Sequence, residues 1–142
     1  MMKKVLIILA LILAGTAGAQ DLTRDMTIAL KNDSPADLQA LVTGSNKDEC
    51  LQAGTRKATL LQLAIQMGSS DTAAYLINEA QVNVNQACDD NTPLMWAAKM
   101  GRSNIVAILL NAGADASIQV DGKTALDLAI ANGNEATVKL LK

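Results

Sequence analysis

The stretch Thr92-Pro93-Leu94-Met95-Trp96-Ala97-Ala98-Lys99-Met100-Gly101 is the clearest copy of a unit that recurs along the chain. At an offset of 32 it aligns with Thr124-Ala125-Leu126-Asp127-Leu128-Ala129-Ile130-Ala131-Asn132-Gly133. At an offset of 33 upstream it aligns with Thr59-Leu60-Leu61-Gln62-Leu63-Ala64-Ile65-Gln66-Met67-Gly68. Thr, Leu, Ala and Gly fall in register in all three. After each Gly comes a second apolar-periodic stretch, at residues 72–77, 104–110 and 136–141. A fixed period of this length marks a stacked repeat architecture.

Local chemistry gives each unit a shape. The Thr is a helix N-cap, its hydroxyl accepting from an early backbone N–H. Pro93 takes the first helical position, where it loses no hydrogen bond. Gly68, Gly101 and Gly133 end these short helices, because Gly tolerates a positive φ. A second helix then runs back, and Gly113 ends it in the best-formed unit. Asp121-Gly122 has the chemistry of a tight hairpin turn. Helices this short are not stable alone, so stability must come from stacking one unit on the next.

Thr92-Pro93-Leu94, Ala97-Ala98, Gly101, Ile105-Val106, Leu109-Leu110 and Gly113-Ala114-Asp115 together resemble an ankyrin repeat. The resemblance implies an all-α repeat solenoid, built of helix–turn–helix units with β-hairpin finger loops. The histidine of the family's T-P-L-H tetrad is replaced by Gln62, Met95 and Asp127. Its bonds between units are therefore not assured, although the fold is. Asp127 is placed to reach back to the Thr124 N–H as a capping-box acceptor.

Residues 20–57 fit the pattern poorly. Residues 22–30 read as a first helix, and Ser34-Pro35-Ala36-Asp37 as the start of a second, with Leu38, Leu41 and Val42 on its apolar face. Residues 20–57 are thus expected to be a degenerate N-terminal capping repeat, with 43–57 as a long polar finger loop. Residues 58–90 and 91–123 are full repeats, and 124–142 a truncated one. Atypical ends are what a solenoid requires.

The first nineteen residues read as an address. Met1-Met2-Lys3-Lys4 is a short positive start, residues 5–14 are an unbroken apolar run, and Ala17-Gly18-Ala19 offers small residues to a signal peptidase. These are the three regions of a secretory signal, with cleavage expected after Ala19. An uncleaved anchor is the alternative, but spanning a bilayer takes roughly 20 apolar residues. The lysine start and short apolar run give the resemblance an exported bacterial cast, with the mature protein in the periplasm. No membrane contact is expected after cleavage.

Export bears on the two cysteines, Cys50 and Cys88. An even count in an oxidising compartment points to a disulfide. The alternative is two thiols that never meet. Both fall in the finger region of successive units, where stacked fingers are neighbours. Closing such a loop would stabilise the fold by roughly 4 kcal/mol in the chain-entropy model.

Composition excludes most chemistry. The 142 residues, enough for one domain, contain no histidine and two aromatics, Tyr75 and Trp96. A Ser-His-Asp triad, a Cys-His pair and an imidazole zinc site are excluded. A net charge of −2 provides no basic footprint for nucleic acid, and base-stacking platforms are missing. No glycine-rich phosphate loop occurs. Asp48-Glu49 and Asp89-Asp90 read as solvent-facing loop acids, and the cysteine spacing is unlike a redox C-x-x-C. No catalytic residue, cofactor or metal ligand is assigned, and no enzyme is expected.

The resemblance also assigns directions. The residue before the first Ala of each first helix, and the two before its Gly, are expected to face outward. That set is Leu63, Gln66 and Met67, then Trp96, Lys99 and Met100, then Leu128, Ala131 and Asn132. Leu63, Trp96 and Leu128 would form one apolar row, and Met67 and Met100 another. Exposed apolar patches mark contact sites, and Trp is enriched among binding hot spots. Alternatively Trp96 folds over its neighbours and only completes packing. Asp89, Asp90, Asp121 and Lys123 at the fingers form a second surface, mostly acidic and suited to a basic partner.

The expected function is that of a monomeric binding module, docking another exported protein. It would inhibit, protect against or stabilise that partner, a cell-wall hydrolase or protease being the kind of target implied. A secreted effector that binds host proteins, or a stress-related periplasmic scaffold, are the rival functions.

Overall fold

The computed structural model describes residues 21–89 and 91–142. The expected leader over residues 1–19 lies outside them, as does Asp90. Eight helices run through the described residues in four pairs. They are α1 (Arg24–Lys31) with α2 (Pro35–Gln39), α3 (Leu60–Met67) with α4 (Ser70–Asn78), α5 (Pro93–Lys99) with α6 (Ser103–Asn111), and α7 (Ala125–Ala131) with α8 (Glu135–Leu141). The odd-numbered helices stack in one inner row and the even-numbered in an outer row. A two-stranded antiparallel hairpin precedes α3, with β1 (Leu51–Ala53) pairing Leu51 to Ala58 of β2 (Arg56–Ala58). The architecture is an all-helical repeat solenoid with a small hairpin.

Every inner helix starts on a threonine. The hydroxyls of Thr23, Thr59, Thr92 and Thr124 each accept from the backbone N–H three residues on. Every inner helix also ends alike. Gly68, Gly101 and Gly133 adopt φ of 72°, 68° and 69°. The next residue's N–H then returns to the helix, Ser69 to Ala64, Arg102 to Ala97 and Asn134 to Ala129, at 2.9–3.0 Å. In the first pair Asp33 holds the glycine's place at φ 48°. The Ser34 N–H closes on the Ala29 carbonyl at 3.0 Å. Shared backbone geometry thus puts residues 24–39 in register with the other pairs. The first helix starts at Arg24 rather than at residue 22, because Thr23 caps it and the Leu22 N–H donates to Gln52 at 3.2 Å.

The core lies between the rows and between the pairs. Leu61, Ile65, Leu76, Leu94, Ile105 and Leu109 are buried, and Ala64, Ala97, Ala98 and Ala129 let helices approach closely. In α7, Ile130 occupies the position of buried Ile65 and Ala98, yet is 56% exposed. No further helix pair lies against α7 and α8 among the described residues.

Polar side chains cross each unit boundary onto backbone. Gln62 is fully buried, accepts from the Thr59 N–H at 3.0 Å and donates to the Asn91 carbonyl at 2.7 Å. The amide therefore supplies an inter-unit bond where the family's histidine is missing. Asp127 does the capping half, accepting from the Thr124 N–H at 2.9 Å. A second set of bonds went unread in the sequence. Ser69 donates to the Leu30 carbonyl, Arg102 to those of Ile65 and Gln66, and Asn134 to that of Ala98. Each satisfies the open C-terminal carbonyls of the preceding inner helix. Turned backward, none of the three caps its own outer helix. For α4 the Asp33 carboxylate does so instead, accepting from the Thr72 N–H at 2.8 Å.

The stretch 43–57 is not one long polar loop. Buried Asn46 accepts from the Thr43 N–H at 2.7 Å and donates to the Leu41 carbonyl at 3.0 Å. The Lys47 ammonium donates to the carbonyls of Ala80 and Gln81, and Asp48 accepts from the Asn83 N–H. Cys50 is bonded to Cys88, with 5.8 Å between Cα atoms. Leu51 is buried and opens the hairpin. The segment orders because the side chains of Lys47, Asp48 and Cys50 find partners in the next unit and Leu51 joins the core. The later finger holds the expected turn, with Asp121 and Gly122 at φ 54° and 74° and two 3.0 Å bonds between Val120 and Lys123.

Replacing Gln62 with Leu strands a buried donor and a buried acceptor. Urea unfolding should show a loss of about 2–4 kcal/mol, whereas Gln62→His, able to make both bonds, should lose under about 1 kcal/mol. Equal losses would contradict the assignment. Hydrogen bonds from Thr124 hold the Asp127 carboxyl below its ordinary pKa. A lowered folded pKa stabilises above the unfolded value and is lost as pH falls through the folded one. Protection of the amides at the start of α7, relative to their intrinsic exchange, should therefore fall in acid, and Asp127→Asn should flatten that dependence.

Candidate protein-binding surface

The surface is built on α5 and the first finger. Trp96 is half-buried and packs against the core. The Arg56 guanidinium, on β2, lies 5.2 Å from the centre of the indole ring. Lys99, three residues after Trp96 and so on the same side of the helix, places its ammonium 5.3 Å from that ring. Such contacts contribute about 0.5–1 kcal/mol each at exposed sites. Arg56 also donates to the Gln66 amide oxygen at 3.5 Å. Beside the ring is a cleft of about 40 Å³, walled by Arg56, Lys57, Gln66, Asp89 and Trp96 among others.

The expected surface residues divide. Met67 and Met100 are 37% and 38% exposed, at matching positions of successive inner helices. Lys99 is exposed and Leu128 half-buried against the core. Leu63 does not face outward: it is 6% exposed and belongs to the core. The row expected from Leu63, Trp96 and Leu128 is therefore not an exposed one. Asn132 is exposed, but its amide donates to the Leu128 carbonyl at 2.8 Å and closes α7.

The finger acids differ in what they touch. The Asp89 carboxylate accepts from the Lys57 N–H at 2.6 Å and ties one finger to the next. Asp121 sits in the hairpin turn, and both it and Lys123 are exposed. Asp90 is outside the described residues. Arg56 was missed in the sequence, although the basic pair Arg56-Lys57, one unit before Trp96, was its signal. Among the described residues no group of three or more His, Cys, Asp or Glu is placed to hold a metal ion. None of the described helices is long and apolar enough to cross a membrane.

Residues 26–120 match a family model for ankyrin repeats, in three copies. A putative ankyrin repeat-containing protein of Treponema pallidum is 36% identical over 89 residues, covering 61% of this chain and 30% of that protein. Palmitoyltransferase ZDHHC13 of Homo sapiens is 39% identical over 77 residues, covering 54% of this chain and 12% of that protein. A putative ankyrin repeat protein of fowlpox virus is 36% identical over 87 residues, covering 58% and 26%. The chain spans under a third of the length of each of these relatives.

The geometry around the single Trp predicts its accessibility. Arg56→Ala and Lys99→Ala should each raise acrylamide quenching of Trp96 fluorescence. Each should cost no more than about 1 kcal/mol of stability. Unchanged quenching in both variants would contradict the flanking contacts.

Proposed function

The chain belongs to the ankyrin-repeat family, and on that premise we propose a non-catalytic protein-binding module of the periplasm that docks another exported protein through the Trp96 face. Ankyrin repeats are protein-interaction modules. The finer proposal rests on one observation: the chain's single Trp is half-open with two cations near its ring, and Met67 and Met100 are exposed on the same row of inner helices. Trp and Arg are enriched where interfaces draw their energy, and Met suits adaptable contacts.

Export is supported by the signal-like pattern of residues 1–19 and by the bond between Cys50 and Cys88, which persists in oxidising compartments. A protein-binding module acts by what it covers. The role proposed is therefore to inhibit, protect against or stabilise an enzyme of the same compartment, such as a cell-wall hydrolase or protease.

Crosslinking in intact cells, followed by purification, tests this. Trp96→Ala should lower recovery of the crosslinked partner by about tenfold or more, with a thermal midpoint within a few degrees of the parent. Lost stability with unchanged recovery would sink the proposal. Osmotic shock should release the protein, and finding it chiefly in the medium would contradict the periplasmic placement.

A further inference from the structure

We propose that the cleft beside Trp96 receives the carboxylate of an aspartate or glutamate side chain from the docked protein, whose adjoining apolar side chains lie on Met67 and Met100. This names the partner's chemistry and rests on the protein-binding proposal above.

Charge is the first ground. The chain is acidic overall, with a net charge of −2, yet Arg56 and Lys57 wall the cleft and Lys99 lies on the same ring. Two other cations are committed to backbone: Lys47 to the end of α4, and Arg102 to the end of α3. Arg56 is not. Its hydrogen bond among the described residues goes to the neutral Gln66 amide, at the long distance of 3.5 Å. A guanidinium lying over an aromatic ring keeps its in-plane donors for a planar acceptor, which is the geometry a carboxylate matches. The one described acid in the cleft wall, Asp89, is held by the Lys57 N–H at 2.6 Å.

Size is the second ground. A cleft of about 40 Å³ has room for a group the size of a carboxylate. Arg56, Lys57 and Lys99 outnumber Asp89 around the cleft, so a cationic group is disfavoured there and an anionic one answers the excess charge. A carboxylate fits both limits. Met67 and Met100, 37% and 38% exposed, then give the flanking residues an apolar surface. The acidic fingers expected from sequence pointed to a basic partner; the cations at Trp96 favour an acidic one at this spot.

Trp96, the chain's one Trp, is the reporter. The disulfide-bonded protein is titrated with a capped pentapeptide, leucine-glutamate-leucine-glutamate-leucine, and with its glutamine counterpart. The glutamate peptide should change Trp96 emission saturably and bind about tenfold tighter than the glutamine one. Raising salt should weaken it, since exposed charges are screened. The double variant Arg56→Ala/Lys99→Ala, with unchanged circular dichroism, should lose the preference. Equal binding, no binding of either, or a preference kept by the double variant would overturn the proposal. So would an equal saturable response to sodium acetate, which would mark a free-carboxylate site. In cells, partner recovery lost in Trp96→Ala but kept in Arg56→Glu/Lys99→Glu would overturn the carboxylate assignment and leave the docking proposal standing. Recovery kept in both would overturn the docking itself.

Discussion

None of the described helices of this protein can stand alone. The longest described ones, α4 and α6, have nine residues each, below the length at which an isolated helix holds in water. Each pair must therefore bury a face against its neighbour, and that stacking constrains the rest. It selects Ala at the contact positions. It removes the need for aromatic bulk, and Tyr75 and Trp96 are the chain's two aromatics. It also explains the form of the inter-unit hydrogen bonds. Gln62, Ser69, Arg102, Asn134 and Asp33 all reach to the backbone of an adjacent unit, not to its side chains. A backbone partner is present whatever the neighbouring side chain, so one unit's sequence can change without a matching change in the next.

The capping residues were legible because their chemistry is local. Thr before a helix, Gly after it and Asp121-Gly122 in a turn act within a few residues, and the structure puts each in that role. The degenerate first unit was harder to read, since Asp33 takes a position that elsewhere needs Gly. What the sequence did not disclose runs between units. Leu63 is buried, while its counterparts Trp96 and Leu128 remain half-open. The place of Arg56 over Trp96 joins residues 40 positions apart in different units. Neither periodicity nor propensity carries that information, because each follows from how one unit sits on another.

The first finger links stability to the binding face. Lys47, Asp48 and Cys50 attach it to the end of α4 and to the finger that follows. The disulfide spans 38 positions, and closing a loop of that size restricts the unfolded chain by up to about 4 kcal/mol. β2 continues from this anchored segment and carries Arg56 to the indole ring. A cation held there before a partner arrives loses little freedom on binding.

The central claim is that a partner covers the inner-helix and finger face around Trp96. Hydrogen exchange of the free protein and of its complex with the crosslink-identified partner tests it most directly. The account predicts slower exchange in the complex at residues 54–57, at the C-terminal ends of α3 and α5, and little change along α4, α6 and α8. Slowing confined to those outer helices, with the Trp96 face unaltered, would contradict it.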